Sequence, residues 1–277
     1  LDHSASTRLF DTLNWFEMLQ RHCFSDAQLH IAHSLAASGN GSVWLPMIDD
    51  GQTLRALANW YSFSYAPLFV DAPEANPALR LRLLIQLASS LRGMRPHVTL
   101  SPMLGGSCIA EMAMQAFRQA GWIAMATPLG SNHILRLNGR DFAAYWSSRP
   151  GALRTAVKRK SRSAPCAFEI HRELSEALWR EYLAVYAASW KDPEPTPDLL
   201  RAIAQDAQAR CGLRLAFARH SDGRAVATQL WTIEGDTALI HKMAHDRSLD
   251  RQSPGTLLSH HMFAHVIDHD GVAVIDY

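Results

Sequence analysis

No run of about 18 apolar residues occurs in this chain of 277 residues, so no membrane-crossing helix is expected. Its first residues lack a basic stretch followed by an apolar one, so no secretory signal is expected there, and the expected location is cytoplasmic. Cysteine is scarce: Cys23, Cys108, Cys166 and Cys211 lie far apart, with no C-x-x-C or C-x-x-x-H spacing. That distribution excludes a zinc knuckle or a disulfide framework and fits isolated thiols in a reducing compartment. Net charge is also small, at +1, which argues against general attraction to DNA or anionic lipid. One local absence is more telling. Between Phe142 and Phe168 there is no acidic residue, while Arg149, Arg154, Lys158, Arg159, Lys160 and Arg162 supply six positive charges. This is an anion-facing patch on an otherwise balanced protein.

What is present is the composition of a globular protein, 48% apolar and 19% charged, long enough for two domains. Apolar spacing predicts helices over 10–22, 77–92, 107–120, 141–163 (broken or entered at Pro150), 175–190 and from Pro197 to about Ala209. Strands are expected over 26–34, 41–47, 54–70, 97–101, 122–127, 133–137, 168–172, 213–218, 224–233, 237–244 and 272–275. Each half then reads as a helix, antiparallel strands and a strand–helix–strand unit, with a boundary near Asn138-Gly139. The expected class is mixed α/β, with residues 1–138 and 139–277 as two domains.

The last forty residues carry the strongest chemical signal. The strand-like run 237–244 breaks at Asp246–Gln252 and is followed by Ser253-Pro254-Gly255-Thr256-Leu257-Leu258, which opens a helix ending near Gly271. A small-residue loop feeding a helix leaves backbone N–H groups without partners at the positive end of the helix dipole, which suits phosphate. Pro254 fits the first turn, and Gly255 permits close approach. Taken alone, the same residues favour an ordinary Ser-capped helix start.

Three segments together resemble the GNAT acyltransferase fold, in its tandem-domain branch that includes FemAB-like enzymes and acetyltransferases of polysaccharide-synthesis operons. They are the basic helix Leu153–Lys160, the turn into a strand at Asp222-Gly223-Arg224-Ala225-Val226-Ala227, and Ala244-His245-Asp246 followed by Ser253–Leu258. The loop carries one Gly where family loops are richer in Gly and basic residues. Over residues 1–138 the likeness is one of outline.

The resemblance implies two GNAT-like domains, each a mostly antiparallel sheet flanked by helices, the first shaping the acceptor cleft and the second binding the donor. It implies acetyl or acyl transfer from acyl-CoA to an amine, without a metal. The acceptor it suggests is a small molecule or glycan, an amino sugar of a surface polysaccharide or its precursor. Aminoacyl transfer from tRNA to a peptidoglycan precursor is the alternative, and a non-catalytic scaffold on the same frame is a third reading. Ser253, Gly255 and Thr256, with Arg247 and Arg251, are the expected cofactor-binding residues. An N–H of the strand 237–244 would meet the oxyanion. His241 and His245 lie four apart and are expected on one strand face, with Lys242 on the other, as proton acceptors. Asp276 and Tyr277 complete the catalytic candidates, and Asp246 either orients a histidine or begins the turn. Arg154, Lys158, Arg159 and Arg162 are the substrate-binding candidates. His261, His265 and His269 recur on one helix, but without H-E-x-x-H they read as surface histidines.

Overall fold

The computed structural model describes residues 8–37, 39–70, 72, 76–163 and 166–277. It divides into two compact units, Leu1–Gly130 and Ser131–Tyr277. Each holds a mixed sheet flanked by helices, as the sequence leads one to expect.

In the first unit the helix α1 (Leu13–Cys23) starts at Thr12, whose hydroxyl accepts from the Trp15 N–H. The strands β1 (Leu29–Leu35), β2 (Ser42–Asp49), β3 (Thr53–Ala56), β4 (Leu68–Val70) and β5 (His97–Thr99) form the sheet, with α2 (Pro77–Leu91) and α3 (Cys108–Gln119) beside it. Strands β1, β2 and β3 pair antiparallel in sequence, while β5 runs parallel to β3. Trp15, Leu19, Leu45, Met47, Leu83 and Leu84 fill the core. At the end of β2, Asp49 accepts two hydrogen bonds from Arg95, at 2.9 and 3.0 Å, and this pairing holds its carboxyl below the usual range.

Two expected strands differ. The run 54–70 is strand only at its ends, as β3 and β4. Between them the Asn59 side chain accepts from the Tyr61 N–H, turning the chain, and the Tyr65 hydroxyl donates to the Pro46 carbonyl from a fully buried position. Those aromatics are placed by packing and turn chemistry, not by a pleat. The segment 122–127 alternates like a strand but pairs with none among the described residues, and Ile123 and Met125 are exposed.

The second unit is built on six strands in the order β6-β11-β10-β9-β8-β7: β6 (Ile134–Arg136), β7 (Ala167–His171), β8 (Leu213–Arg219), β9 (Ala225–Glu234), β10 (Thr237–His245) and β11 (Val274–Asp276). All neighbours are antiparallel except β10 and β11. Pro150 separates α4 (Phe142–Ser147) from the basic helix α5 (Gly151–Ser163), because a proline offers no N–H to continue the first helix. One face of the sheet carries α8 (Pro254–Asp268), whose Leu258, Met262, Phe263 and Val266 pack with Trp231, Ile240 and Ile275. The other carries α6 (Glu176–Ala187) and α7 (Pro197–Ala209), joined by the loop 188–196 with its prolines at Pro193 and Pro195. Asp270, just past α8, accepts from Arg214 on β8 at 2.9 and 2.6 Å, with both side chains 5% exposed. This buried pair fixes the C-terminal end of α8 to the sheet.

Candidate active site

Strand β10 organises the site. Its ladder with β11 covers only Thr237–Leu239, and beyond that no strand among the described residues lies along that edge of 240–245. Against β9 the register slips by one residue between Ile240 and Lys242, a β-bulge with His241 as the extra residue. The bulge corrects the sequence reading of this strand. Two histidines four apart share a face only on a regular pleat; an inserted residue reverses the alternation after it.

The contacts show the reversal directly. His241 Nε2 lies 2.9 Å from the Thr232 hydroxyl, and Lys242 pairs at 2.8 Å with Glu194 of the α6–α7 loop. His245 points instead to the α8 side, where its Nε2 is 2.9 Å from Asp250 and its ring stands against Gly255. So His241 and Lys242 occupy one face and His245 the other. Burial, reinforced by the Lys242 charge, pulls the His241 pKa down to about 3, so that its imidazole is neutral across the physiological range.

After β10 the chain makes a tight 3-10 turn, Arg247–Gln252. Asp246 begins it and orients no histidine: it accepts from the Ser248 N–H (2.9 Å) and hydroxyl (2.6 Å) and from Arg224 (2.6 Å). Those donors, Ser248 before Arg224, hold its carboxyl below the usual range. Ser253 closes the turn in the left-handed region, at φ 58° and ψ 46°. Its hydroxyl donates to the Asp250 carbonyl at 3.3 Å and does not cap α8. Pro254 has no N–H, and the Leu257 N–H takes the Ser253 carbonyl. The N–H groups of Gly255 and Thr256 are first-turn groups, without intrahelical acceptors.

A cavity of about 280 Å³ opens at this point, lined by Trp190, His245, Asp250, Ser253, Gly255 and Thr256. The structure thus brings His245 together with three of the expected loop residues. Arg247 and Arg251 are exposed in the preceding turn and do not line it. Trp190 and Asp250 escaped the sequence reading. Trp190 arrives from the end of α6, which the Arg247 N–H ties to this turn through the Ala188 carbonyl. Asp250 is delivered by the 3-10 winding, which a polar heptapeptide does not advertise. Gln229 is a third addition: buried on β9, its side-chain amide donates to the Ser259 hydroxyl at 2.8 Å and bridges the strand to α8.

Asp276 and Tyr277 stand apart from this cavity, near the start of β10. Asp276 pairs with Leu239 across the parallel ladder and accepts from Asn132 at 2.9 Å. Tyr277 lies by Phe263 and Tyr145, where burial raises its phenol pKa. On α5, Lys158, Arg159 and Arg162 join Thr155 and Ser163 around a second cavity of about 440 Å³. Arg154 is not in that lining; its guanidinium donates to the Arg149 carbonyl at 3.1 Å. Among the described residues no group of His, Cys, Asp or Glu is arranged to hold a metal ion, and no helix is long and apolar enough to cross a membrane.

The loop-to-helix cavity thus lies beside a bulged strand that has parted from its neighbour. Residues 147–277 match the family model described as acetyltransferase (GNAT) domain. The second unit is therefore a GNAT-type acyltransferase domain. No curated protein sequence matches the chain. Among solved structures, the chain is similar to FemX over 98% of its length and 83% of that chain, at 9% identity and a TM-score of 0.62. It is similar to L-PGS from Bacillus licheniformis over 96% of its length and 78% of that chain, at 13% identity and a TM-score of 0.58. A conserved protein of unknown function from Bacteroides thetaiotaomicron matches over 97% and 80%, at 13% identity and a TM-score of 0.56. At these identities the likeness is one of fold, and it extends through both units.

Proposed function

We propose that the chain moves an acetyl or longer acyl group from acyl-CoA to an amino group, on an amino sugar of a surface polysaccharide or its precursor. The observation that carries this reading is the cavity at the start of α8, which first-turn residues Gly255 and Thr256 line together with His245 from the end of β10. The donor's pyrophosphate sits on those N–H groups, with Ser253 beside them and Arg247 and Arg251 adding charge from the turn. Its pantetheine arm runs back along the free edge of β10. A strand N–H near the bulge then receives the developing oxyanion, and positioning supplies most of the rate. Of the two histidines, His241 stands at the bulge but is made a weak base by burial, while His245, held by Asp250, stands beside Gly255 at the phosphate end of the donor. Lys158, Arg159 and Arg162 hold a phosphate of a nucleotide-linked acceptor in the α5 cavity.

A second reading, aminoacyl transfer from tRNA, rests on the same α5 cavity and on the whole-chain likeness to FemX and L-PGS. A basic helix that holds a sugar phosphate also suits an RNA backbone.

The deciding experiment is calorimetric titration with acetyl-CoA, desulfo-CoA and a charged tRNA in parallel. Micromolar binding of both CoA species supports the CoA-dependent transferase. Absence of CoA binding together with salt-sensitive tRNA binding would replace it with the second reading.

A further inference from the structure

Trp190 is placed unlike the other tryptophans of the chain. Each of the others lies against a second aromatic ring, as Trp231 does against Phe263 and Trp179 against Tyr182. The indole of Trp190 meets no such ring among the described residues and is 65% exposed. A lone exposed apolar side chain is ordinary on a surface. This one lines the cavity at the start of α8, together with Ser253, Gly255 and Thr256.

The backbone that carries the indole is tied on both sides. Before it, the Arg247 N–H donates to the Ala188 carbonyl at 3.1 Å, and the Ser189 hydroxyl donates to the Tyr186 carbonyl at 2.6 Å. After it, the Lys191 N–H donates to the Ser189 hydroxyl at 3.3 Å. A rigid ring on an ordered turn has little freedom to lose when a ligand settles on it.

The rest of the lining is poor in positive charge. No lysine or arginine belongs to it, and Asp250, 2.9 Å from His245, adds a carboxylate. Backbone N–H groups alone would hold a phosphate there weakly against that charge. An indole adds affinity that does not depend on charge, because every nucleobase offers a π face to stack on it.

We propose that Trp190 is the stacking platform for the adenine base of the donor, whose phosphates lie on the first turn of α8. Adenine is common to CoA and to the 3′-terminal adenosine of a charged tRNA, so the platform serves a donor from either source. This deepens the acyl-donor reading and rests on it for the position of the phosphates.

The test measures binding of CoA and of a charged tRNA by calorimetry, on the full chain and on its Trp190→Ala and Trp190→Phe variants, with indole fluorescence recorded beside it. For the ligand that the unaltered chain binds, Trp190→Ala is expected to lose about tenfold or more in affinity. Trp190→Phe, which keeps a stacking face, should recover most of that loss. Ligand should quench indole emission in the unaltered chain and not in Trp190→Phe, a signature that a merely structural tryptophan would not give. Retained affinity with lost quenching in Trp190→Phe supports the platform even if Trp190→Ala lowers the thermal transition. Equal affinity of Trp190→Ala and the unaltered chain overturns the proposal, as does quenching that persists in Trp190→Phe. Micromolar CoA binding that ignores Trp190→Ala sinks the platform and leaves the donor site standing. Binding of tRNA alone, weakened by Trp190→Ala, keeps the platform and removes CoA as the donor. Binding of neither ligand removes both.

Discussion

His245 Nε2 lies 2.9 Å from Oδ1 of Asp250, and the same ring fills the space where a side chain on Gly255 would go. A Cβ built on Gly255 would meet His245 Nδ1 at 3.0 Å. The small residue at the start of α8 is therefore fitted to a side chain from β10, and the strand and the helix N-terminus are positioned as one piece.

That fit makes Gly255→Val a sharp probe. The added methyl groups displace the His245 ring into the cavity lined by Trp190 and Thr256, where the donor's phosphates are proposed to sit. We expect CoA binding to weaken at least about tenfold while the thermal transition stays cooperative, since overpacking at one partly exposed turn costs about 1–3 kcal/mol. Calorimetry on the variant checks it. Unchanged affinity would remove the phosphates from this loop.

Much of this frame was readable beforehand, and the exceptions have physical causes. The helices of the second unit, the hairpin at Asp222-Gly223 and the Ser253–Leu258 helix start follow from apolar period and turn chemistry, which are local. The bulge at His241 is not local. It is fixed by how β10 registers on β9, and nothing in Leu-Ile-His-Lys-Met distinguishes it from a regular strand. Hence the sequence picks out His245, Ser253, Gly255 and Thr256, which line one cavity, but puts His241 and His245 on one face of a strand whose bulge sends them to opposite faces. Asp250 and Trp190 were invisible for a related reason: a 3-10 turn and a helix end bring them to the cavity, and both depend on tertiary contacts.

Acid should loosen the turn that carries the loop. Asp246 accepts from Ser248 and Arg224, which lower its pKa in the folded state. A depressed carboxylate contributes stability that is complete above its unfolded value, about 3.9, and is lost as pH falls through the folded value. Asp246→Asn should therefore lower stability at neutral pH and flatten the loss seen below about pH 4. Urea denaturation from pH 7 down to pH 3 measures both. Parallel curves for the two proteins would contradict it.

His241 should leave a separate signature at milder pH. Its folded pKa is depressed to about 3 by burial, so the unfolded chain takes up a proton first, near pH 6.5. The stability given by the neutral imidazole is complete above that value and declines as pH falls toward 3. Replacing it with His241→Asn, which has no titrating proton, should reduce the slope of stability between pH 6.5 and pH 4. An unaltered slope assigns the titration elsewhere.

At the far end of α8, Asp270 and Arg214 are both nearly inaccessible, and their double hydrogen bond is what makes that burial tolerable. Asp270→Ala removes one partner and leaves a guanidinium buried without its counter-charge, apart from carbonyl contacts to Cys211 and Leu213. Breaking a buried pair this way costs about 3–5 kcal/mol. Replacing both residues with apolar ones of similar volume should cost much less, because the desolvation penalty of the charges disappears with them. The comparison of single and double variants by denaturant melts distinguishes a charge effect from a packing effect. If the double variant is as unstable as Asp270→Ala, the volume around Arg214 matters more than its charge, and the C-terminal anchor of α8 is a matter of packing.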